Sequence, residues 1–176
     1  LKRDEADIMG DLRDFFALRI KNALSDKVRH DVAEAVMESG VFTSPVPSVI
    51  RRAEALEAFL AGEEAKAAVD AFNRVCNLAV KAESGDLDER FLTEPAEREL
   101  YKQWQQLHII YNGLLEEGRE ERALAALAGL RDAVNAFFDA VLVMAEDPHV
   151  RQSRLALLSR IAGDIRRFAD FSKLVK

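Results

Sequence analysis

A single cysteine, three histidines, four prolines and eight glycines stand among 176 residues, and each scarcity removes a class of function. With Cys76 alone, neither an internal disulfide nor a cysteine-built zinc site can form. Cys76 follows Val75 on an apolar helical face, where a buried structural thiol is the natural role and a nucleophile the less natural one. His30, His108 and His149 are far apart, with no H-E-x-x-H and no pair of E-x-x-H motifs, so neither a metalloprotease nor a di-iron bundle is supported. No apolar run approaches the roughly 20 residues that cross a bilayer, and no signal-peptide pattern opens the chain. That pattern leads to a cytoplasmic expectation and no membrane partner.

Catalytic signatures are also missing. His30-Asp31 is similar to the central dipeptide of HD-type metal phosphohydrolases, but no histidine precedes it and the metal would lack a ligand. There is no glycine loop to cradle phosphates, no G-x-S-x-G elbow and no nucleophile-base pair. The chain therefore reads as a binding module with no catalytic residue, metal ligand or cofactor of its own. It begins with Leu1 rather than Met, which leads to the expectation that it is a piece of a longer polypeptide, and its length fits one domain with one good core.

What is present is helical and charged. Apolar residues make up 49% and charged residues 32%, and the net charge is -6. The acidity is local: residues 82–122 hold eleven acids against five bases, whereas from His149 onward Arg151, Arg154, Arg160, Arg166, Arg167, Lys173 and Lys176 face only Asp164 and Asp170. An anionic ligand can therefore be met on one surface of an acidic molecule.

Periodicity predicts about seven helices in a bundle, an all-α fold with no strand. Ile8, Leu12, Phe15, Phe16, Ile20, Ala23 and Leu24 fall on one face of the first; Val28, Val32, Ala35 and Val36 mark a short second, ending near Ser39-Gly40. "TSPVPS" at 43–48 reads as a proline turn outside any helix. A third helix buries Val49, Ala53, Leu56, Phe59 and Leu60 and stops at Gly62, and a fourth from about Glu64 buries Ala65 to Ala79 at helical spacing. "KAESGDLDER" at 81–90 is the clearest loop. The chain reads as a single domain over 1–176, with halves 1–82 and 92–176 joined by the 83–91 loop. Thr93 is the expected N-cap of the fifth helix, which reaches Glu116 and stops at Gly118. A sixth runs through Leu124, Leu127, Leu130, Val134, Phe137, Phe138 and Val141, and Asp147 caps the last with Pro148 at its first position.

On the last helix Leu155, Leu158, Ile161, Ile165 and Phe168 form the inward stripe, and Arg154 falls within it. An arginine there either pairs with Asp139, Glu146 or Asp147 to fix the corner or contacts a ligand. Arg160 and Arg167 point away from the stripe and Arg151 and Arg166 lie at its flanks; Arg160, Arg166 and Arg167 are either ligand contacts or solubilising charges. On the fourth helix Asp70, Asn73, Arg74, Asn77 and Lys81 make a polar stripe with two amides, groups that can read base edges or remain solvated. Phe15, Phe16, Phe137 and Phe138 are expected to pack in the core, and Phe171 is the better base-stacking candidate.

"FFDAVLVMAEDPHVRQSRLALLSRIAGDIRRFADFSK" at 137–173, with its ending "ADFSKLVK", resembles the C-terminal end of the bacterial glycyl-tRNA synthetase β subunits. The helix-corner-helix pattern is similar to the DALR anticodon-binding domain shared with arginyl-tRNA synthetases. "FFALRIKNAL" and "RHDVAEAV" within 15–36, "RRAEALEAFL" at 51–60 and "AFNRVCNLAVKA" at 71–82 follow in the family's order, and the acidic middle is least diagnostic. The resemblance implies an all-α module that holds the anticodon region of glycine tRNA. It further implies that activation and transfer occur on a partner α subunit, with ATP and magnesium, in an α2β2 glycine–tRNA ligase. Its partners would be glycine tRNA, the rest of the β subunit and the α subunit. Carried over by position, Arg19, Lys21, Arg51, Arg52, Arg74, Asn77, Arg151 and Arg154 are RNA-contact candidates, and Lys81, Arg160, Arg167 and Lys173 join them from the basic stripes. Asn73 departs from the pattern, standing where a second base is expected before Arg74. The alternative is a helical docking domain of the same synthetase that touches no tRNA. The RNA reading expects Arg51, Arg74 and the last-helix arginines to converge on one face.

Overall fold

In the computed structural model, which describes residues 5–39, 44–83 and 86–175, the chain forms eight α-helices and no strand among the described residues. They are α1 (Glu5–Ser25), α2 (His30–Glu38), α3 (Val46–Leu60), α4 (Ala65–Ala79), α5 (Pro95–Glu116), α6 (Glu120–Ala128), α7 (Arg131–Ala140) and α8 (Pro148–Phe168), with short 3-10 turns at Glu89–Phe91 and Phe171–Lys173. The helix-ending role read for Gly40, the Thr43 end of the proline turn, Ser84-Gly85 of the loop and the charge of Lys176 lie outside the described residues.

The eighth helix arises because the expected sixth is two. At Gly129 the chain tightens, its N–H bonding to Ala126 O at 3.0 Å as well as Ala125 O at 3.2 Å, and a Cβ there would stand 3.0 Å from Ala126 O. An overwound turn with that close approach accepts glycine and breaks the axis. Two boundaries also shift. Pro47 sits inside the first turn of α3 rather than in a turn outside it, because first-turn residues need no N–H and their φ matches proline. Glu94, not Thr93, caps α5: its side chain accepts from the Glu97 N–H, and the Glu97 carboxylate accepts from the Glu94 N–H at 3.0 Å, a reciprocal box ahead of Pro95. Gly118 ends α5 at φ 70°, a left-handed conformation suited to glycine.

The apolar stripes close one continuous core. α4 packs along α8, α5 against α6 and α7, α3 against α6, and α2 against α3 and the C-terminal turn. Leu56, Phe72, Leu100, Leu127, Phe137, Leu157 and Phe168 are fully enclosed, each contributing about 1.5–3 kcal/mol of burial. Phe137 and Phe138 pack inward as their spacing implies. Phe171 does too, at 2% exposure and edge-on to Phe72 with centroids 5.0 Å apart, so it is a core residue and not a stacking platform. The opposite correction applies to α1: among its described residues Ile20 and Leu24 are buried, whereas Ile8, Leu12, Phe15 and Phe16 lie 45–52% exposed, because α1 packs mainly on α2 and α3.

Candidate nucleic-acid interface

The corner before α8 shows what its arginines do. Asp147 accepts the N–H groups of His149 and Val150 at 2.8 and 3.3 Å, and Pro148 opens the helix. Arg151 donates to Ala145 O at 2.8 Å, closing the turn from within α8. Arg154, 7% exposed, donates to Leu142 O at 2.7 Å and to the Glu97 carboxylate. Its partner is therefore Glu97 of α5, and not Asp139, Glu146 or Asp147, all of which are exposed. Pairing with a buried carboxylate offsets the cost of taking this guanidinium out of water, and Glu97 is the one the fold supplies.

The other end of α8 meets α3. Arg52, 2% exposed, donates through Nη1 to the carbonyls of Arg167 (2.6 Å) and Phe168 (3.2 Å) and to Ser39 Oγ (3.2 Å). A cation at a helix C-terminus faces its partial negative charge. Burial lowers the Arg52 pKa, and the nearby Arg167 charge adds to that against the opposing influence of Tyr111 and Glu120. Arg51 lies exposed beside it, donating from Nε to Glu120 at 2.7 Å, while Ser48 Oγ donates to the other Glu120 oxygen at 2.9 Å. Burial pushes the Glu120 carboxyl up, but bonds from Arg51, its own backbone N–H and Ser48 outweigh this and hold it below the usual range. Arg51, Arg52 and Arg167 together line a concavity of about 270 Å³ between α3, the end of α5 and the end of α8.

Arg167 is oriented by a chain of bonds. It donates to Asn112 Oδ1; the Asn112 amide N lies 3.1 Å from His108 Nε2; His108 Nδ1 lies 2.8 Å from the Asp164 carboxylate. Trp104 Nε1 donates to the same carboxylate at 2.8 Å, and the Tyr111 hydroxyl donates to Asp164 O at 3.0 Å. Burial, reinforced by Asp164, raises the Tyr111 phenol well above its ordinary value, keeping it a donor.

A second concavity, about 280 Å³, is lined by Asn73, Cys76, Asn77 and Arg166, the last donating to Cys76 O at 3.1 Å. The other candidates lie elsewhere. Arg74 is exposed over the Phe138 ring at 4.1 Å, Arg160 over Trp104 at 5.9 Å and Arg19 over Phe15 at 5.6 Å. Lys21 and Lys81 are exposed, and Lys173 is half-buried, 3.7 Å from Glu34. The structure thus brings Arg51 to Arg167 and Asn77 to Arg166, while Arg74 lines neither concavity. Arg52 and Arg154 are withdrawn into the fold. Among the described residues no group of three His, Cys, Asp or Glu is placed to hold a metal ion, and exposed His30 stands 4.0 Å from Glu34 alone. No helix of the described residues is long and apolar enough to cross a membrane.

Arg166 is the contributor that sequence reasoning left out of the candidate set. Its position at the flank of the α8 stripe was the available signal. Glu97 and Asp164 were also missed as buried anchors, although each sits at helical spacing from apolar neighbours, Glu97 before Leu100 and Trp104 and Asp164 between Ile161 and Phe168.

Residues 69–167, from α4 through α8, match the DALR anticodon binding domain. The chain belongs to that family. Proteins named glycine–tRNA ligase beta subunit resemble it along nearly its whole length. The one from Clostridioides difficile is 37% identical over 173 residues, covering 98% of this chain, and the one from Halalkalibacterium halodurans 35% over 173 residues. The one from Acidithiobacillus ferrooxidans is 38% identical over 177 residues. The chain spans about a quarter of the length of each of these relatives. In this DALR domain α4 and α8 form the packed pair at the ends of the matched region, and Arg51 and Arg52 on α3 lie outside it.

Proposed function

We propose that this chain is the tRNA-binding module of a glycine–tRNA ligase beta subunit and holds the anticodon region of glycine tRNA during aminoacylation. Family membership joined to similarity over 98% of the chain carries the reading. The exposed cations support it chemically. Arg51 and Arg167 flank one concavity, Asn77 and Arg166 another, and Arg74 and Arg160 lie over aromatic rings. Single-stranded loops are recognised by such mixtures of phosphate-directed bases, amides and stacked planes. The module would act within a longer beta subunit in the cytoplasm. An α subunit partner in an α2β2 assembly would carry out glycine activation with ATP and magnesium.

The test is a titration of labelled glycine tRNA, and of the same tRNA with altered anticodon bases, at two salt concentrations. Expected are salt-sensitive binding, since phosphate contacts release counterions, and a clear preference for the unaltered anticodon. Equal binding to both RNAs overturns the reading.

A second reading, a docking domain without tRNA contact, is favoured by α1, whose Ile8, Met9, Leu12, Phe15, Phe16 and Leu18 are exposed. In that reading the face is covered by the remaining three quarters of a polypeptide as long as its relatives.

A further inference from the structure

Arg52 is a buried cation whose charge meets no carboxylate directly. Among the described residues its bonds all leave from Nη1 and end on neutral oxygens, two carbonyls and the Ser39 hydroxyl, and its Nε and Nη2 have no hydrogen-bond partner. Those two atoms form one edge of the guanidinium fork, the edge that grips two oxygens of a carboxylate or phosphate side by side. An unmatched buried donor is costly, the more so when charged, and helix capping through Nη1 does not account for this edge. The residue lines the concavity that Arg51 and Arg167 also line, with the Ser48 hydroxyl on the same wall. Glu120, held by Arg51 and Ser48, offsets the Arg51 charge, and exposed Glu116 is also in the lining, but among the described residues no carboxylate is hydrogen-bonded to Arg52 or Arg167.

We propose that the concavity between α3, the end of α5 and the end of α8 is a binding site for a phosphate group, gripped by the Nε–Nη2 edge of Arg52 with Arg51 and Arg167 at the rim. Arg52 and Arg167, with the part of Arg51 not bonded to Glu120, suit a tetrahedral oxyanion better than a planar carboxylate, since its oxygens can be met from different sides. The Arg52 edge is excluded from solvent, so an anion reaches it only with a local rearrangement of the concavity wall. An anion there relieves the mutual repulsion of Arg52 and Arg167, the same repulsion that helps lower the Arg52 pKa. The phosphate is either a phosphodiester of bound RNA or a free anion, and the site does not depend on which RNA the chain binds.

The test uses the whole chain with inorganic phosphate, against chloride at matched ionic strength. Expected is a saturable rise in Tm, about 3–6 °C at phosphate ten times its Kd. Arg167→Ala and Arg51→Ala should weaken phosphate binding about ten-fold or more, and Lys102→Ala, on the exposed side of α5, should not. Arg52→Lys keeps the charge but loses the fork, and should abolish the rise if it folds; if it does not, the two rim variants decide. A glycine-tRNA anticodon stem-loop then identifies the source. Displacement of the RNA by phosphate, with Arg167→Ala weakening both, assigns the site to an RNA phosphodiester, and phosphate binding without displacement assigns it to a free anion. A phosphate response no larger than chloride's, or one untouched by the rim variants, overturns the site. Failure of anticodon discrimination bears on the tRNA reading alone and leaves this result standing.

Discussion

The Arg154 guanidinium in the second turn of α8 is buried against the Glu97 carboxylate in the first turn of α5, a contact between residues 57 positions apart in sequence. One Glu97 oxygen serves this pair while the other completes the cap of α5, so a single side chain ends one helix and fixes the angle of another. Glu97→Ala leaves a buried unpaired arginine and should destabilise the chain by about 3–5 kcal/mol, measured by urea unfolding. Glu97→Leu with Arg154→Met removes both charges and should recover much of that loss. A double variant as unstable as Glu97→Ala would show that the pair's charge is not what matters.

Glu120 predicts the direction of an acid transition. Its folded pKa is depressed, so its stabilisation is present above the ordinary carboxylate pKa of an unfolded chain and is lost as pH falls through the folded value. Asp31 behaves alike: burial raises it, but bonds from the Val175 N–H and Arg29 outweigh that and hold it low. Urea midpoints measured from pH 7 to pH 3 should fall more steeply below about pH 4.5 in the wild type than in Glu120→Gln. Parallel profiles would remove the Arg51–Glu120 pair from the account.

Cys76 should be a slow thiol. Burial raises its pKa, and this outweighs the lowering by Arg166. Thiolate is the reactive form, so reaction with a thiol reagent at pH 8 should be slower than for a free cysteine, and should become fast on unfolding. Rapid labelling of the folded chain at neutral pH would contradict the packing of α4 on α8.

The helices were legible because their apolar spacing, their Pro and Gly punctuation and the Asp147-Pro148 start are local signals. Gly129 escaped because Leu124 to Val141 keep helical spacing across it, so the break lies in a close carbonyl approach that periodicity does not register. Candidate contacts were harder. Sequence shows which arginines exist, but Arg51 and Arg52 are neighbours with opposite fates, one exposed on a salt bridge and the other buried at the end of α8. Their fates are set by α8, more than 110 positions away. The arginines expected on one face are instead divided among the α8 corner, two concavities and two aromatic rings.

The exposed stripe of α1 separates stability from docking. Phe15 and Phe16 touch each other edge-on at 5.9 Å, and Phe15 lies under Arg19 at 5.6 Å, but neither joins the core. Phe16→Ser in this chain should therefore change the unfolding free energy by no more than about 0.5 kcal/mol, as surface substitutions do. In a polypeptide of the relatives' full length, a face covered by the remaining chain would lose buried aromatic area. The same substitution should then lower Tm and speed proteolysis near α1. Equal effects in the short and long chains would mean that α1 stays uncovered, and the docking reading would lose the observation that favours it.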